Sequence, residues 1–158
     1  MAQGTMTGRV HPGGGSTWPA AAPEIAVRMV GALLALAIAA VHVADQGGIT
    51  SLASPDWIGW SYRLIEAGAL LTALALIVPW SSSLGWGLST GWAASLLLGI
   101  EPLAAYIASR TVGLPGDHGD VGNWGYWVGT VSLVVEAALV VLSAGMLLAL
   151  LQRAPARR

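Results

Sequence analysis

Residues 100–136 of the chain read IEPLAAYIASRTVGLPGDHGDVGNWGYWVGTVSLVVE. Two apolar runs are joined by a turn rich in Gly, Asp and His, and each run carries one glutamate, Glu101 or Glu136. A charge at the centre of a bilayer costs roughly 2.5–3.5 kcal/mol, so a carboxyl group inside such a run needs a reason. The stretch predicts two membrane-spanning helices with a polar site between them, and it points to no particular reaction or cargo.

The composition is that of a membrane protein. Of the 158 residues, 55% are hydrophobic and 9% are charged, with a mean hydropathy of +0.68, whereas soluble domains are about 25% charged. The net charge of −1 gives no electrostatic footprint for nucleic acid. The absence of cysteine excludes disulfides, thiolate metal sites and thiol redox chemistry.

Four apolar stretches set the expected architecture. They cover about residues 25–44, 62–80, 84–109 and 124–151, each near or above the roughly 20 residues that cross a hydrocarbon core. Because backbone groups in lipid must be satisfied internally, these runs must be helices. We therefore expect an all-α membrane protein, a four-transmembrane-helix bundle with short loops over residues 24–152. A disordered Gly- and Pro-rich cytoplasmic tail over residues 1–23 and a basic cytoplasmic tail over residues 153–158 flank it.

Arginine counts predict the orientation. Arg63 and Arg110 lie at the loop ends of spans two and three. The charged residues within the adjacent loops are all acidic. Five arginines instead lie before or in the first turn of the first span, or follow the last span: Arg9, Arg28, Arg153, Arg157 and Arg158. The positive-inside rule then places both termini in the cytoplasm, with the protein in the plasma membrane.

Small residues recur every four positions in the third span, at Gly87, Gly91, Ser95 and Gly99. Such a stripe lets another helix approach closely. Glu101 lies about 200° around the helix from Gly99, so it faces away from the stripe. The third span is therefore expected to have two buried faces, either inside one bundle or with one face at an oligomer contact.

The ionisable side chains of the spans gather on the predicted outer half. At 1.5 Å per residue, Glu101 lies about 13 Å in from Arg110 and Glu136 about 18 Å in from Trp124. We expect one outward-opening pocket with ten residues in its wall: His42, Asp45, Tyr62, Arg63, Glu66, Glu101, Tyr106, Arg110, His118 and Glu136.

The same residues also have purely structural interpretations. Arg63 and Glu66 are spaced i,i+3 and can form a simple helix-end pair. The carboxyl groups of Glu101 and Glu136 can be protonated and hydrogen-bonded across the bundle, holding helices together. The sequence leaves open whether these glutamates are functional or structural.

A metal ion is one candidate ligand of the pocket, held by His42, Asp45, His118 and Asp120. Two imidazoles with carboxylates and no thiolate suit zinc, copper or iron. Against this, di-metal bundles repeat a Glu-x-x-His motif, and this chain has a single His-x-x-Asp. No cofactor can be named from the sequence.

The segments SRTVGLPG at 109–116, DVGNWG at 120–125 and SLVVE at 132–136 resemble small four-span integral membrane proteins that recur in actinobacteria. The resemblance covers spans three and four better than the rest. It implies the membrane architecture and makes the turn between those spans a family hallmark, and it carries no reaction with it.

Three kinds of function remain. The first is a binding or accessory subunit, with its pocket open to a small molecule or metal ion and with a homo-oligomer or a membrane subunit as partner in the bilayer. The alternative is a proton- or ion-coupled transporter that uses Glu66, Glu101 and Glu136 as a relay. The outsider is a membrane enzyme in which Tyr106 and the glutamates act as acids and bases on a lipid-soluble substrate.

Overall fold

Four α-helices form most of the protein. The computed structural model describes residues 22–78 and 87–153. Its helices are α1 (Ala22–Asp45), α2 (Asp56–Ile77), α3 (Gly87–Thr111) and α4 (Trp127–Arg153). Each is long and apolar enough to cross a membrane, and neither described range contains a strand. The predicted all-α, four-helix transmembrane architecture is confirmed.

The predicted tails lie largely outside the described residues. Of the tail expected over residues 1–23, only Ala22 and Pro23 are described, and they open α1 instead. Proline suits this place because the first turn of a helix leaves its N–H groups unpaired anyway. Of the basic tail, only Arg153 is described, as the last residue of α4. The turn expected at residues 81–83 is also outside the described ranges.

The second helix begins six residues before the predicted span and ends three residues before its predicted end. Pro55 precedes its first turn, where its carbonyl oxygen accepts the Ile58 N–H at 2.9 Å. At the other end Val78 is extended, with φ −64° and ψ 126°, because a residue before a proline is disfavoured in the helical region. The sequence prediction took the polar and aromatic start of α2 for a loop.

The helices pack in a ring in chain order. Helices α1 and α3 each pack against α2 and α4 and barely touch each other, so they lie on a diagonal. At the end where α2 finishes, Arg28 of α1 donates to the carbonyl oxygens of Leu76 at 2.7 Å and Val78 at 2.8 Å. A cation suits this place because the C-terminus of a helix carries a partial negative charge.

The small-residue stripe of α3 packs inside the bundle. A Cβ on Gly99 would lie 2.8 Å from the Val140 side chain and 3.0 Å from the Glu136 carbonyl oxygen, so α4 approaches the bare backbone. Gly91 faces α2, and Ser95 is fully buried. On the diagonal, a Cβ on Gly31 would meet the fully buried ring of Trp92 at 2.9 Å. Half of the bundle is thus densely packed around Trp92.

The outer surface of the helices is apolar. Leu33, Leu71, Leu97 and Val141, one on each helix, are between 61% and 73% exposed. Contiguous apolar surface of this extent is unusual for a monomeric soluble protein and ordinary for helices that face lipid. The chain therefore fits a multi-pass integral membrane protein.

Candidate functional site

A cavity of about 530 Å³ lies at the end of the bundle where α1 and α3 finish and α2 and α4 begin. We call this the cavity end. All four helices and the turn of residues 112–126 contribute to its wall. Its charged and aromatic members are His42, Asp45, Trp57, Tyr62, Glu101, Tyr106, Arg110, Asp117, Asp120, Tyr126 and Glu136.

Asp45, the last residue of α1, fastens three parts of the structure. One carboxylate oxygen accepts the Tyr62 hydroxyl of α2 at 2.7 Å, and the other accepts the Tyr126 hydroxyl before α4 at 2.5 Å. This hydrogen bond, partial burial and the negative charge of Asp45 raise the pKa of Tyr126 to about 12. Both oxygens of Asp45 therefore accept a hydrogen bond, and the Tyr126 hydroxyl stays protonated at neutral pH.

His42 and Glu136 form the inner wall. The His42 Nδ1 lies 2.9 Å from the Ile38 carbonyl oxygen, which can only accept, so Nδ1 carries the hydrogen. The other ring nitrogen, Nε2, lies 3.9 Å from Glu136 Oε1, too far for a hydrogen bond. The Nε2 atom of His42 thus faces the carboxyl group of Glu136.

Glu136 is 1% exposed and only half satisfied. Its Oε1 accepts the Ser132 hydroxyl one turn earlier on α4 at 2.5 Å. Its Oε2 is buried and has no hydrogen-bond partner among the described residues. Leaving a buried polar atom unpaired costs about 1–3 kcal/mol, and more for a charged group. The fold tolerates this cost at the wall of a cavity.

Glu101 is the second unpaired carboxyl group of the wall. It is exposed, and it makes no hydrogen bond or ion pair with any residue that the structure describes. It lies nine residues before Arg110 on α3, which is about 13 Å. Since α4 begins at Trp127, Glu136 also lies nine residues, or about 13 Å, from that end of its helix, so the two glutamates lie at similar depth.

Arg110 closes the cavity end beneath the turn. It pairs with Asp120, its guanidinium carbon lies 4.7 Å from the centre of the Tyr106 ring, and the side chain is 5% exposed. The Trp57 indole N–H donates to the Pro115 carbonyl oxygen at 3.0 Å and ties α2 to the same turn. The turn is therefore held over the cavity from both sides.

Arg63 and Glu66 are not in the cavity wall, although the sequence predicted them there. The Arg63 guanidinium donates to Glu66 at 2.6 Å and to the carbonyl oxygens of Ile49 at 2.5 Å and of Ser51. The amide of Gln46 donates to the other Glu66 oxygen at 2.6 Å. Tyr62 and Ile65 line the cavity, and Arg63 and Glu66 each follow one of them, about 100° further around α2. Arg63 and Glu66 therefore face the α1–α2 connection and stabilise it.

His118 is also outside the wall. It is exposed, and its ring lies against the backbone of Gly113, where φ is +80°. Of the four predicted metal ligands, His42, Asp45 and Asp120 line the cavity, whereas His118 does not. In the two described ranges, no group of three or more His, Cys, Asp or Glu residues could hold a metal ion.

Seven of the ten predicted pocket residues thus line one cavity. The wall also contains residues that the sequence analysis did not predict, among them Ser132, Tyr126 and Trp57. Ser132 lies four residues before Glu136, a spacing that places both on one face and could have identified it. Tyr126 pairs with a residue 81 positions away, for which no local signal exists. Trp57 lies before the second span that the sequence predicts, so hydropathy does not place it in the bundle. Whether this cavity is a binding site remains a prediction.

No protein-family model matches the chain, and neither a curated protein nor a solved structure matches it. The resemblance to four-span actinobacterial proteins remains a prediction, and the functional argument therefore starts from the geometry.

Proposed function

We propose that the protein binds a small molecule in the cavity and acts as a membrane-embedded binding or accessory subunit. The observation that carries the proposal is the buried, unpartnered Oε2 of Glu136 in a cavity of about 530 Å³. Ligand sites in proteins are typically clefts of about 300–1,000 Å³ with a few convergent polar groups. A polar group of the ligand would supply the hydrogen bond that Glu136 lacks.

The structural interpretation of the glutamates is less favoured. A glutamate that holds helices together needs a hydrogen bond to another helix, but Glu136 accepts its hydrogen bond from Ser132 of its own helix. Glu101 has no partner among the described residues. Side-chain hydrogen bonds that link different helices or their ends are made instead by Asp45 to two tyrosines, by Gln46 to Glu66 and by Arg28 to the end of α2.

The transporter alternative is also less favoured. A relay through the protein needs polar groups along its whole length. Beyond Glu101 and Glu136, toward the opposite end, the helices carry no ionisable side chain until Arg28 and Arg153. The cavity therefore ends blindly in an apolar half of the bundle, which suits binding better than passage.

The distribution of arginines predicts how the protein is oriented in the membrane. With five arginines at the termini and two at the cavity end, the positive-inside rule favours cytoplasmic termini and places the cavity in the outer half of the plasma membrane. A homo-oligomer or a partner subunit is compatible with the broad apolar surface. An actinobacterial source is proposed on the sequence resemblance alone.

Thiol labelling tests the proposal, because the chain has no cysteine of its own. Ser132 and Ser143 are both buried on α4, and only Ser132 lines the cavity. We expect monobromobimane to label Ser132→Cys at least about tenfold faster than Ser143→Cys in detergent-purified protein. A small-molecule extract of the host membranes should slow the labelling of Ser132→Cys. Equal rates for the two variants, or no protection by any extract fraction, would contradict a ligand-binding cavity.

A further inference from the structure

The charges of the cavity wall favour a cationic ligand. The wall holds five carboxyl groups, of Asp45, Glu101, Asp117, Asp120 and Glu136, against the single guanidinium of Arg110. Arg110 is already paired with Asp120. The His42 Nδ1 is hydrogen-bonded to the Ile38 carbonyl oxygen, and its Nε2 lies 3.9 Å from Glu136 Oε1. Apart from Arg110 and His42, no basic side chain lines the described wall of the cavity, so its carboxyl groups outnumber its basic groups.

Glu101 and Glu136 are the two carboxyl groups that a ligand can engage. Asp45 accepts two tyrosine hydroxyls, and Asp120 belongs to the Arg110 pair. By contrast, Glu136 has a buried, unpartnered oxygen, and Glu101 has no partner in the described part of the chain. Both lie deep in the helices, where a charge gains most from a partner because the local dielectric is low.

Aromatic rings surround the same space. Tyr62, Tyr106, Tyr126 and Trp57 line the cavity, and a cation within about 6 Å of a ring centre is attracted to its face. Arg110 already makes this contact, at 4.7 Å from the centre of Tyr106. Such a wall accommodates an organic cation with apolar substituents. A bare metal ion is disfavoured, since no metal-binding group of residues is found in the described ranges.

The cavity reaches the outer surface of the bundle between α2 and α3. Glu101 and Ala105 are exposed and also line the cavity, whereas Pro102 beside them is buried. Glu101 points about 200° away from Gly99, which packs on α4, and the other neighbour of α3 is α2. The opening therefore lies on the lipid-facing side, with Glu101 at its rim.

The geometry points to a hydrophobic organic cation as the ligand, an amine or quaternary onium compound that dissolves in the membrane. It enters between α2 and α3 past Glu101 and places its charge between Glu101 and Glu136, among the aromatic rings. This inference rests on the proposed binding function and specifies the ligand class of the same cavity.

Tetraphenylphosphonium and tetraphenylborate provide a direct test, because they match in size and shape and carry opposite charges. Equilibrium dialysis of both ions against the purified full chain should show saturable binding of the phosphonium alone. Glu101→Gln and Glu136→Gln should each weaken it by about tenfold or more, since each replaces a carboxyl group that would face the bound cation. Glu24→Gln is the matched control, because Glu24 is an exposed carboxyl group outside the cavity wall, and it should bind like the wild type.

Two outcomes would overturn the inference: tetraphenylborate binding as tightly as the phosphonium, or phosphonium affinity unchanged in both cavity variants. Glu101→Gln keeps the test valid even where Glu136→Gln fails to fold, because Glu101 holds no partner in the described ranges. Bimane labelling separates the two proposals. Rapid labelling of Ser132→Cys without phosphonium binding removes the cationic ligand and leaves the binding cavity, whereas slow labelling removes both.

Discussion

The fold should not need the carboxyl group of Glu136, and Glu136→Met tests this. Methionine has a similar length and no polar oxygen, so it removes the unpartnered Oε2 and with it a penalty of about 1–3 kcal/mol. The hydrogen bond from Ser132 is lost, at a net cost of about 0.5–1.5 kcal/mol. The serine hydroxyl can rotate to the backbone carbonyl one turn earlier. The free energy of unfolding should therefore stay unchanged or rise by up to about 2 kcal/mol.

Unfolding in mixed micelles of mild detergent and dodecyl sulfate, followed by circular dichroism, measures this change. Leu139→Ala on the same helix is the matched control. Leu139 is fully buried, so its truncation should cost about 2–5 kcal/mol and shows that the assay detects a loss in α4. A fall of more than about 2 kcal/mol for Glu136→Met would refute the reasoning and make the glutamate a structural residue.

Three further perturbations address the framework of the cavity. Asp45→Ala should lower the free energy of unfolding by about 3 kcal/mol, because two hydrogen bonds to a carboxylate are lost; Asp45→Asn, which keeps an acceptor, should cost less than half of that in the same micelle assay. Gly99→Ala should destabilise the protein in thermal melts, because the added Cβ would lie 2.8 Å from the Val140 side chain. Gly145→Ala, whose Cβ would have no atom within 4 Å, should instead stabilise it by up to about 1 kcal/mol. Equal effects of the two substitutions would contradict the close approach of α3 and α4. Ultraviolet titration should find Tyr126 ionising near pH 12, and a phenolate signal near pH 10 that Tyr126→Phe removes would contradict its hydrogen bond to Asp45. Because the folded pKa lies above the usual value of 10, the stabilisation from this bond is complete below pH 10 and is lost as the pH rises through 12.

The architecture was predictable because membrane-spanning helices appear in a sequence as long apolar runs. The four runs correspond to the four helices, and the largest difference is the start of α2 at Asp56. There the residues are polar and aromatic, so hydropathy alone marks them as a loop. The glycine stripe of α3 was also readable, because its four-residue spacing is a property of one helix.

The site was only partly predictable, because spacing tells which residues share a face and not which neighbour that face meets. Arg63 and Glu66 have the right spacing and depth for a pocket, yet they turn toward Gln46 and the α1–α2 connection. His118 lies in a turn whose path depends on glycines with positive φ. The bond from Tyr126 to Asp45 joins two helix ends whose proximity follows only from the ring of helices.

The uneven packing of the bundle should also make its two halves open locally at different rates. The half around Trp92 is filled, with the indole ring against Gly31, whereas the cavity half is hollow and closed by a few polar contacts at its end. Local opening requires less energy where fewer apolar contacts must break. Backbone amides near Gly31 and Trp92 should exchange their hydrogens slowest, and those around Tyr126 and Ala105 should exchange sooner. A molecule that fills the cavity would then slow exchange in that half alone.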